Sequence, residues 1–179
     1  MLQGFLTAIA LFMSLIMEQT VISALPSPWQ SLAIPLFVGI VIMYRISLPL
    51  GSLFLISAAV LSYADGLSNI NTLVAYGVTT LVAIAVFNRV FAKRSLAAMA
   101  GFAVATTFTF ALVRLLYALL YAVERSEPVL VGVLILHLLF SVFAGVTIVI
   151  GFSLAYSKLH DTFGKRFMQK NASYEVRGI

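Results

Sequence analysis

The chain has 179 residues, of which 62% are hydrophobic and only 9% are charged, and it contains no cysteine. A soluble domain usually carries about 25% charged residues, so this composition predicts an all-α, polytopic integral membrane protein. The lack of cysteine excludes disulfides, thiol catalysis and thiolate metal sites. The formal net charge of +5 is concentrated at the ends of apolar segments. That placement is typical of membrane topology and predicts membrane lipids, not nucleic acid, as the surroundings of the chain.

Six apolar segments follow one another along the chain. The first covers residues 2–17 and ends at Glu18, and because no basic region precedes it we expect a retained helix, not a cleaved signal peptide. The second covers 32–44 and ends at Arg45, and the third covers 48–64. These two are short for spanning helices and only a tight turn separates them, which leaves open whether each crosses the bilayer fully.

The fourth segment, residues 72–91, sets the frame for the others. At about 1.5 Å per residue it reaches about 30 Å, which is the thickness of the hydrocarbon core of a bilayer. An acidic turn that contains Asp65 precedes it, and a basic turn at 93–94 follows it. The fifth segment, 96–123, and the sixth, 129–156, are longer than a span requires, so we expect strong tilt or projection beyond the membrane.

The charged residues separate by sign when the six segments are drawn as six crossings. The bases on one side are Arg45, Arg89, Lys93, Arg94, Lys158, Lys165, Arg166, Lys170 and Arg177. The acids on the other side are Glu18, Asp65, Glu124 and Glu127, where Arg125 is the only base. Since short basic loops stay cytoplasmic, we predict six transmembrane helices in residues 1–156 with both termini cytoplasmic. Residues 157–179 then form a basic cytoplasmic tail.

Small residues recur at helical spacing in three segments. They are Ala97, Gly101, Ala105 and Thr109 in the fifth, Ala75, Thr79 and Ala83 in the fourth, and Ser141 and Gly145 in the sixth. Helices in lipid approach one another closely at such positions. We therefore expect these residues to pack helices within the chain, with a homodimer or partner contact as the alternative.

Arg114 is the one base deep inside a predicted segment, where a charge costs several kcal/mol unless it is paired, hydrated or snorkelling. Arg114 and His137 each lie about two turns below the outer end of their segments, which places them at similar depth in antiparallel neighbours. Asp65 and Glu18 are candidate acidic partners. The arrangement predicts a polar pocket or a partner contact in the outer half. The structural alternative is a snorkelling arginine and a histidine that is hydrogen-bonded within the bundle.

Sequence patterns for catalysis are absent. Gly51-Ser52 and Gly151-Phe152-Ser153 lack the context of a nucleophile elbow, and two histidines do not make a metal site. No glycine-rich phosphate loop is present. We therefore predict no catalytic residue, no cofactor and no metal, and we expect a protein that is not an enzyme.

Several short motifs stand in a recognisable order. Glu18-Gln19-Thr20 ends the first segment, Arg45 and Pro49-Leu50-Gly51 lie between the second and third, and Asp65 follows the third. Asn88-Arg89-Val90-Phe91 leads into Ala92-Lys93-Arg94-Ser95 after the fourth. This order resembles the family of the rod shape-determining membrane protein MreD. The likeness runs from the first segment to the fifth, and the last helical pair matches only in character.

The resemblance implies a noncatalytic part of the complex that directs lateral cell-wall synthesis in the bacterial cytoplasmic membrane. Its partners would be MreC-like, MreB-like and RodA-like proteins with a transpeptidase. The implied fold is similar to the six-helix substrate-binding subunit of energy-coupling-factor transporters. That likeness leaves a rival function, a solute-binding subunit with a cavity lined by Arg114, His137, Tyr63 and Asn69. Its energising partner would dock on Ala97, Ala98 and Ala100. The shape of this cavity separates the two functions, since an enclosed cavity with convergent polar groups favours transport.

Overall fold

The structure is a computed structural model that describes residues 2–27, 29, 32–64, 70–90, 95–124 and 131–175. Side chains are described within 4–27, 29, 32–64, 70–88, 95, 97–124 and 131–158. These residues are helical almost throughout and contain no strand. The helices are α1 (Leu2–Met17), which continues into a π-helical segment (Glu18–Ile22), α2 (Ile34–Arg45), α3 (Leu48–Ala64), α4 (Ile70–Val90), α5 (Leu96–Glu124) and α6 (Val131–Glu175). The all-α prediction is confirmed for the described residues.

Four helical stretches within these residues are long and apolar enough to cross a membrane: Gly4–Ile22, Ile70–Asn88, Ala97–Glu124 and Val131–Lys158. The helices α2 and α3 are apolar but shorter, with 12 and 17 residues. The chain is therefore a helical protein suited to a membrane, as its composition predicts. The helix α6 continues to Glu175 without a break, so the predicted division at residue 156 falls inside a helix.

The helix α2 forms the centre of the bundle. Only Val38 and Arg45 among its 12 residues are not buried. The helices α1, α3, α5 and α6 all contact it. A helix of this length reaches about 18 Å, well short of the roughly 30 Å of a hydrocarbon core. Because protein surrounds it, its polar backbone ends need not meet lipid, and the short length is tolerated.

Two glycines let α2 and α3 pack as a tight hairpin. A Cβ atom added to Gly51 in α3 would lie 2.7 Å from the Cα of Met43 in α2. A Cβ added to Gly39 in α2 would overlap the side chain of Leu55 in α3. The backbones of α2 and α3 are therefore so close that only glycine fits at position 51. Close approach at small residues is the usual way in which helices associate in lipid.

Polar contacts join α2, α5 and α6 at one end of the bundle. The hydroxyl of Tyr44 donates a hydrogen bond of 2.8 Å to the backbone carbonyl of Ser95, just before α5. The Nε of Arg45 donates to the Oγ of Ser153 in α6 at 2.5 Å. Together with Lys158, these residues define what we call the basic end. The end of α2, the start of α5 and the late part of α6 thus lie together, as an antiparallel arrangement requires.

Three aromatic rings fill the interior next to the basic end. The centroid of Tyr44 lies 6.1 Å from that of Phe87 and 6.0 Å from that of Phe102. Phe87 and Phe102 are 5.7 Å apart with nearly perpendicular planes. The Tyr44–Phe87 and Phe87–Phe102 pairs meet edge to face, and each such pair stabilises a core by about 0.5–1.5 kcal/mol beyond its buried area. These rings pack α2, α4 and α5 against one another. The polar residues described below lie at the opposite end of the bundle.

Candidate functional site

Glu18 lies at the opposite end of the bundle from Arg45, in the π-helical segment that follows α1. Its carboxylate lies within electrostatic range of the Arg114 guanidinium in α5. Oε2 of Glu18 is buried and receives no hydrogen bond from a described residue. Short π-helical segments occur frequently at functional sites, because they turn side chains away from the regular helical register. The structure thus brings together two of the residues that the sequence singles out.

Tyr76 in α4 lies beside both Glu18 and Arg114. It is 2% exposed, and both Glu18 and Arg114 act on it electrostatically. Its hydroxyl is hydrogen-bonded by the backbone of Leu36, in the first turn of α2, where N–H groups lack helical partners. The sequence gives no sign of this role, since an isolated tyrosine in an apolar segment is typical of any membrane helix.

Phe110 connects Tyr76 to Arg114. Its ring meets the Tyr76 ring edge-on with centroids 4.9 Å apart. The guanidinium carbon of Arg114 lies 5.8 Å from the Phe110 centroid, within range of a cation–π interaction. We call Glu18, Tyr76, Phe110 and Arg114 the arginine cluster. It joins the π-helical segment, α4 and α5, so a base deep in an apolar helix has both an acid and an aromatic ring beside it.

His137 is held by a separate contact at the same end of the bundle. Its Nε2 is 3.0 Å from the Oγ of Ser27, in the connection between the π-helical segment and α2. Trp29 in the same connection packs edge-on against Phe140 of α6 at 5.0 Å. These contacts fasten the connection to α6. They have the form of the structural alternative for His137, a histidine that is hydrogen-bonded within the bundle.

We expect the Ser27–His137 hydrogen bond to stabilise the folded chain by about 1 kcal/mol. A double-mutant cycle with Ser27→Ala and His137→Phe, read as unfolding free energy in detergent, measures this coupling. Thr20→Val serves as the control partner, because the Thr20 hydroxyl donates to the backbone carbonyl of Ile16 in the preceding turn and does not reach α6. The coupling energy between Ser27→Ala and His137→Phe should exceed that between Thr20→Val and His137→Phe. Equal coupling energies in the two cycles would contradict the contact.

Two clefts lie on either side of Arg114. The smaller, of about 170 Å³, lies between α5 and α6. We call it the histidine cleft; its polar residues are Arg114, His137 and Ser141, and its apolar residues are Phe110, Ala111, Leu115, Ala118, Leu134 and Leu138. It contains three of the predicted residues, at the similar depth that antiparallel helices imply. The cleft is open to its surroundings and is not an enclosed cavity.

The larger cleft, of about 390 Å³, lies between α4 and α5. We call it the tyrosine cleft; its lining is Asn71, Thr72, Arg114, Tyr117, Ala118 and Tyr121. Sequence reasoning missed the two tyrosines and the two residues of α4. The signal was present, because Arg114, Tyr117 and Tyr121 stand three and four residues apart on one face of a helix. This cleft is also open to its surroundings.

The remaining predicted residues are distributed as follows. Asp65 and Asn69 lie outside the described residues. Tyr63, in the last turn of α3, is 49% exposed and lines neither cleft. The part of the chain that the structure describes holds no group of three or more histidine, aspartate or glutamate side chains that could bind a metal ion.

The small residues predicted to pack helices occupy different surroundings. Ala75, Thr79 and Ala83 have no accessible surface in α4. In α5, Ala97 is exposed and Gly101, Ala105 and Thr109 are half-buried. The buried face of α5 is the neighbouring stripe of Met99, Phe102, Ala103, Thr106, Thr107 and Phe110. In α6, Ser141 lines the histidine cleft, and a Cβ on Gly145 would lie 2.6 Å from Phe37 and 2.9 Å from Thr107.

Fold and site together define an apolar helical bundle, suited to a membrane by the length and composition of its helices, in which Arg114 lies near Glu18 and lines two open clefts. Comparison of the chain with profiles of known families, with curated proteins and with solved structures found no match.

Proposed function

We propose that the chain is a noncatalytic scaffold of the machinery that elongates the bacterial cell wall, similar to the MreD family. It crosses the cytoplasmic membrane six times, and both termini and the basic end face the cytoplasm. Its partners are MreC-like and RodA-like proteins, which it contacts within the membrane. The order of motifs along the chain supports this family, and the separation of acids from bases supports the topology.

The observation that carries the proposal is the broad apolar surface of α6. Only 11% of the most apolar part of Val131–Lys158 is buried, against 22% in Gly4–Ile22 and 28% in the corresponding parts of α4 and α5. Leu136, Leu139 and Phe143 are 64%, 59% and 76% exposed. Because so few residues of this helix are buried, most of its surface faces lipid or another helix. Helices in a membrane associate through such lateral faces, so α6 offers the largest free side for a partner helix.

The use of the polar residues supports the same conclusion. Glu18 interacts with Arg114, His137 with Ser27, and the Nε of Arg45 with Ser153. Each contact joins different parts of the bundle, so the polar groups hold the fold together. A protein that works through lateral contacts needs such a rigid body with apolar sides. This favours a scaffold over an intramembrane enzyme, which needs a paired nucleophile and base.

Site-specific crosslinking from α6 tests the scaffold. A photoreactive amino acid in place of Phe143 is expected to capture MreC-like or RodA-like proteins in living cells. The control replaces Val149, which has no accessible surface on the same helix and is expected to capture no partner. Capture of transporter ATPase subunits from Phe143, in place of wall-synthesis proteins, would overturn the proposal.

A second candidate function is a solute-binding subunit of an energy-coupling-factor or other small-solute transporter. The tyrosine cleft favours it, because about 390 Å³ with two tyrosines, an arginine and an asparagine suits a small polar ligand. Its open form favours the scaffold instead. Thermal unfolding of the purified chain against a panel of vitamins and small anions separates the two. A solute that raises the midpoint in the wild type but not in Tyr117→Phe would favour transport.

A further inference from the structure

A third cavity lies at the other end of the bundle from the arginine cluster, and its lining includes none of Leu136, Leu139 and Phe143, the exposed residues on which the proposed scaffold contact rests. It is an apolar groove of about 410 Å³ that runs between α1 and α6 over the surface of α2. We call it the α1–α6 groove; it is lined by Leu6, Thr7 and Ala10 of α1, Val38, Val41 and Ile42 of α2, Ile46, and Phe152, Ala155 and Tyr156 of α6. Its lining contains no acidic residue.

The groove reaches the basic end of the bundle. Ile46 at its margin follows Arg45, and the Nε of Arg45 donates to Ser153, which is next to Phe152 in the wall of the groove. Ser153 has no accessible surface, so this bond holds the guanidinium against α6. A guanidinium carries five N–H donors, and the bond to Ser153 uses one nitrogen. Lys158 adds a second positive charge two residues beyond Tyr156.

The size of the groove argues against a partner helix as its occupant. The lining residues of α1 fall within 6–10 and those of α6 within 152–156, so the groove follows each of these helices for little more than one turn. A membrane-spanning partner helix has five or more turns. A hydrocarbon chain is narrower than a helix and can occupy an apolar groove of this extent between two helices.

The positive charge of Arg45 at the edge of the groove favours a ligand with an anionic headgroup. Basic pockets between membrane helices on the cytoplasmic side bind the headgroups of anionic lipids. An apolar slot that ends at an arginine matches a phospholipid, with its acyl chain in the slot and its phosphate at the surface. We propose that the α1–α6 groove binds an anionic phospholipid from the leaflet at the basic end. One acyl chain lies over α2, and Arg45 binds the phosphate.

Lipid binding to the purified full-length chain tests this site. Native mass spectrometry in detergent, with added phosphatidylglycerol or phosphatidylcholine, reports how much of each lipid the protein retains. We expect wild type to prefer phosphatidylglycerol. Arg45→Gln should lower its affinity for phosphatidylglycerol about tenfold, because charge-assisted hydrogen bonds to the phosphate are lost. Arg45→Lys should retain most of the preference, and phosphatidylcholine binding should change little in either variant.

A second pair of variants tests the groove itself and does not depend on Arg45. Ala10→Phe places a ring in the slot and should reduce retention of both lipids, whereas Ala8→Phe, on an exposed position of the same helix outside the groove, should not. If Arg45→Gln fails to fold, this pair decides. Equal retention of both lipids, or retention that Ala10→Phe leaves unchanged, would overturn the proposal. So would a homodimer that Ala10→Phe dissociates, since a second copy would then occupy the groove.

Discussion

Gly51→Ile is expected to destabilise the bundle by about 3 kcal/mol or to prevent folding. Any side chain at this position meets the backbone of α2, since a Cβ would lie 2.7 Å from the Met43 Cα. Backbone cannot move aside as the end of a flexible side chain does, so α2 and α3 must separate. Insertion of extra groups into a packed core typically costs 1–3 kcal/mol, and the central position of α2 puts this variant at the upper limit.

Gly77→Ile provides the matched control. Gly77 also lies within a helix, α4, but a Cβ there would meet no atom within 4 Å. Both variants add the same β-branched residue, so the cost of that side chain within a helix is shared. We expect Gly77→Ile to change the unfolding free energy by less than about 0.5 kcal/mol. Unfolding in mixed micelles, followed by circular dichroism, measures both. Equal destabilisation by the two would show that α2 and α3 do not pack as described.

Arg114→Leu is expected to destabilise the chain more than Glu18→Leu. Loss of Arg114 removes the cation beside the carboxyl group of Glu18, whose Oε2 is buried, and a buried polar group that loses its partner costs about 1–3 kcal/mol. Loss of Glu18 leaves an arginine that is itself exposed to the clefts and long enough to reach the membrane surface. We expect that change to cost about 1 kcal/mol or less.

The double variant Glu18→Leu/Arg114→Leu is expected to recover most of the stability lost in Arg114→Leu. The double change removes the desolvated carboxyl group as well as the cation beside it, and an apolar pair of similar size suits the surrounding helices. The unfolding free energies of the four proteins form a thermodynamic cycle. Additive effects of the two substitutions would mean that Glu18 and Arg114 do not act on each other.

The sequence predicts the arginine cluster in part. Arg114 draws notice because a base deep in an apolar segment needs a partner, and Glu18 is one of few acids available. Tyr76 and Phe110 could not be predicted, since aromatic residues are common in every membrane helix. Their roles depend on how α4 and α5 face each other. Asp65, the other candidate acid, lies outside the described residues and stays a prediction.

The central position of α2 could not be read from the sequence for a physical reason. Lipid and protein interior are both apolar, so a helix that faces either has the same composition. The sequence shows that α2 is short for a spanning helix, but a short helix is also compatible with a partial crossing of the membrane. In α5, the small residues at i+4 spacing predict a packing face that includes Ala97. The buried face is the adjacent stripe with Phe102 and Phe110, since large side chains fill more of the interior.

The central claim is that the basic end and the end that carries Glu18 lie on opposite faces of the membrane. Because the chain has no cysteine, single-cysteine variants report position without background. In intact cells, a membrane-impermeant maleimide should label Ala24→Cys, in the exposed connection after the π-helical segment. Ser173→Cys, near the end of α6, should react only after the membrane is permeabilised. Labelling of Ser173→Cys in intact cells, or protection of Ala24→Cys there, would contradict this account.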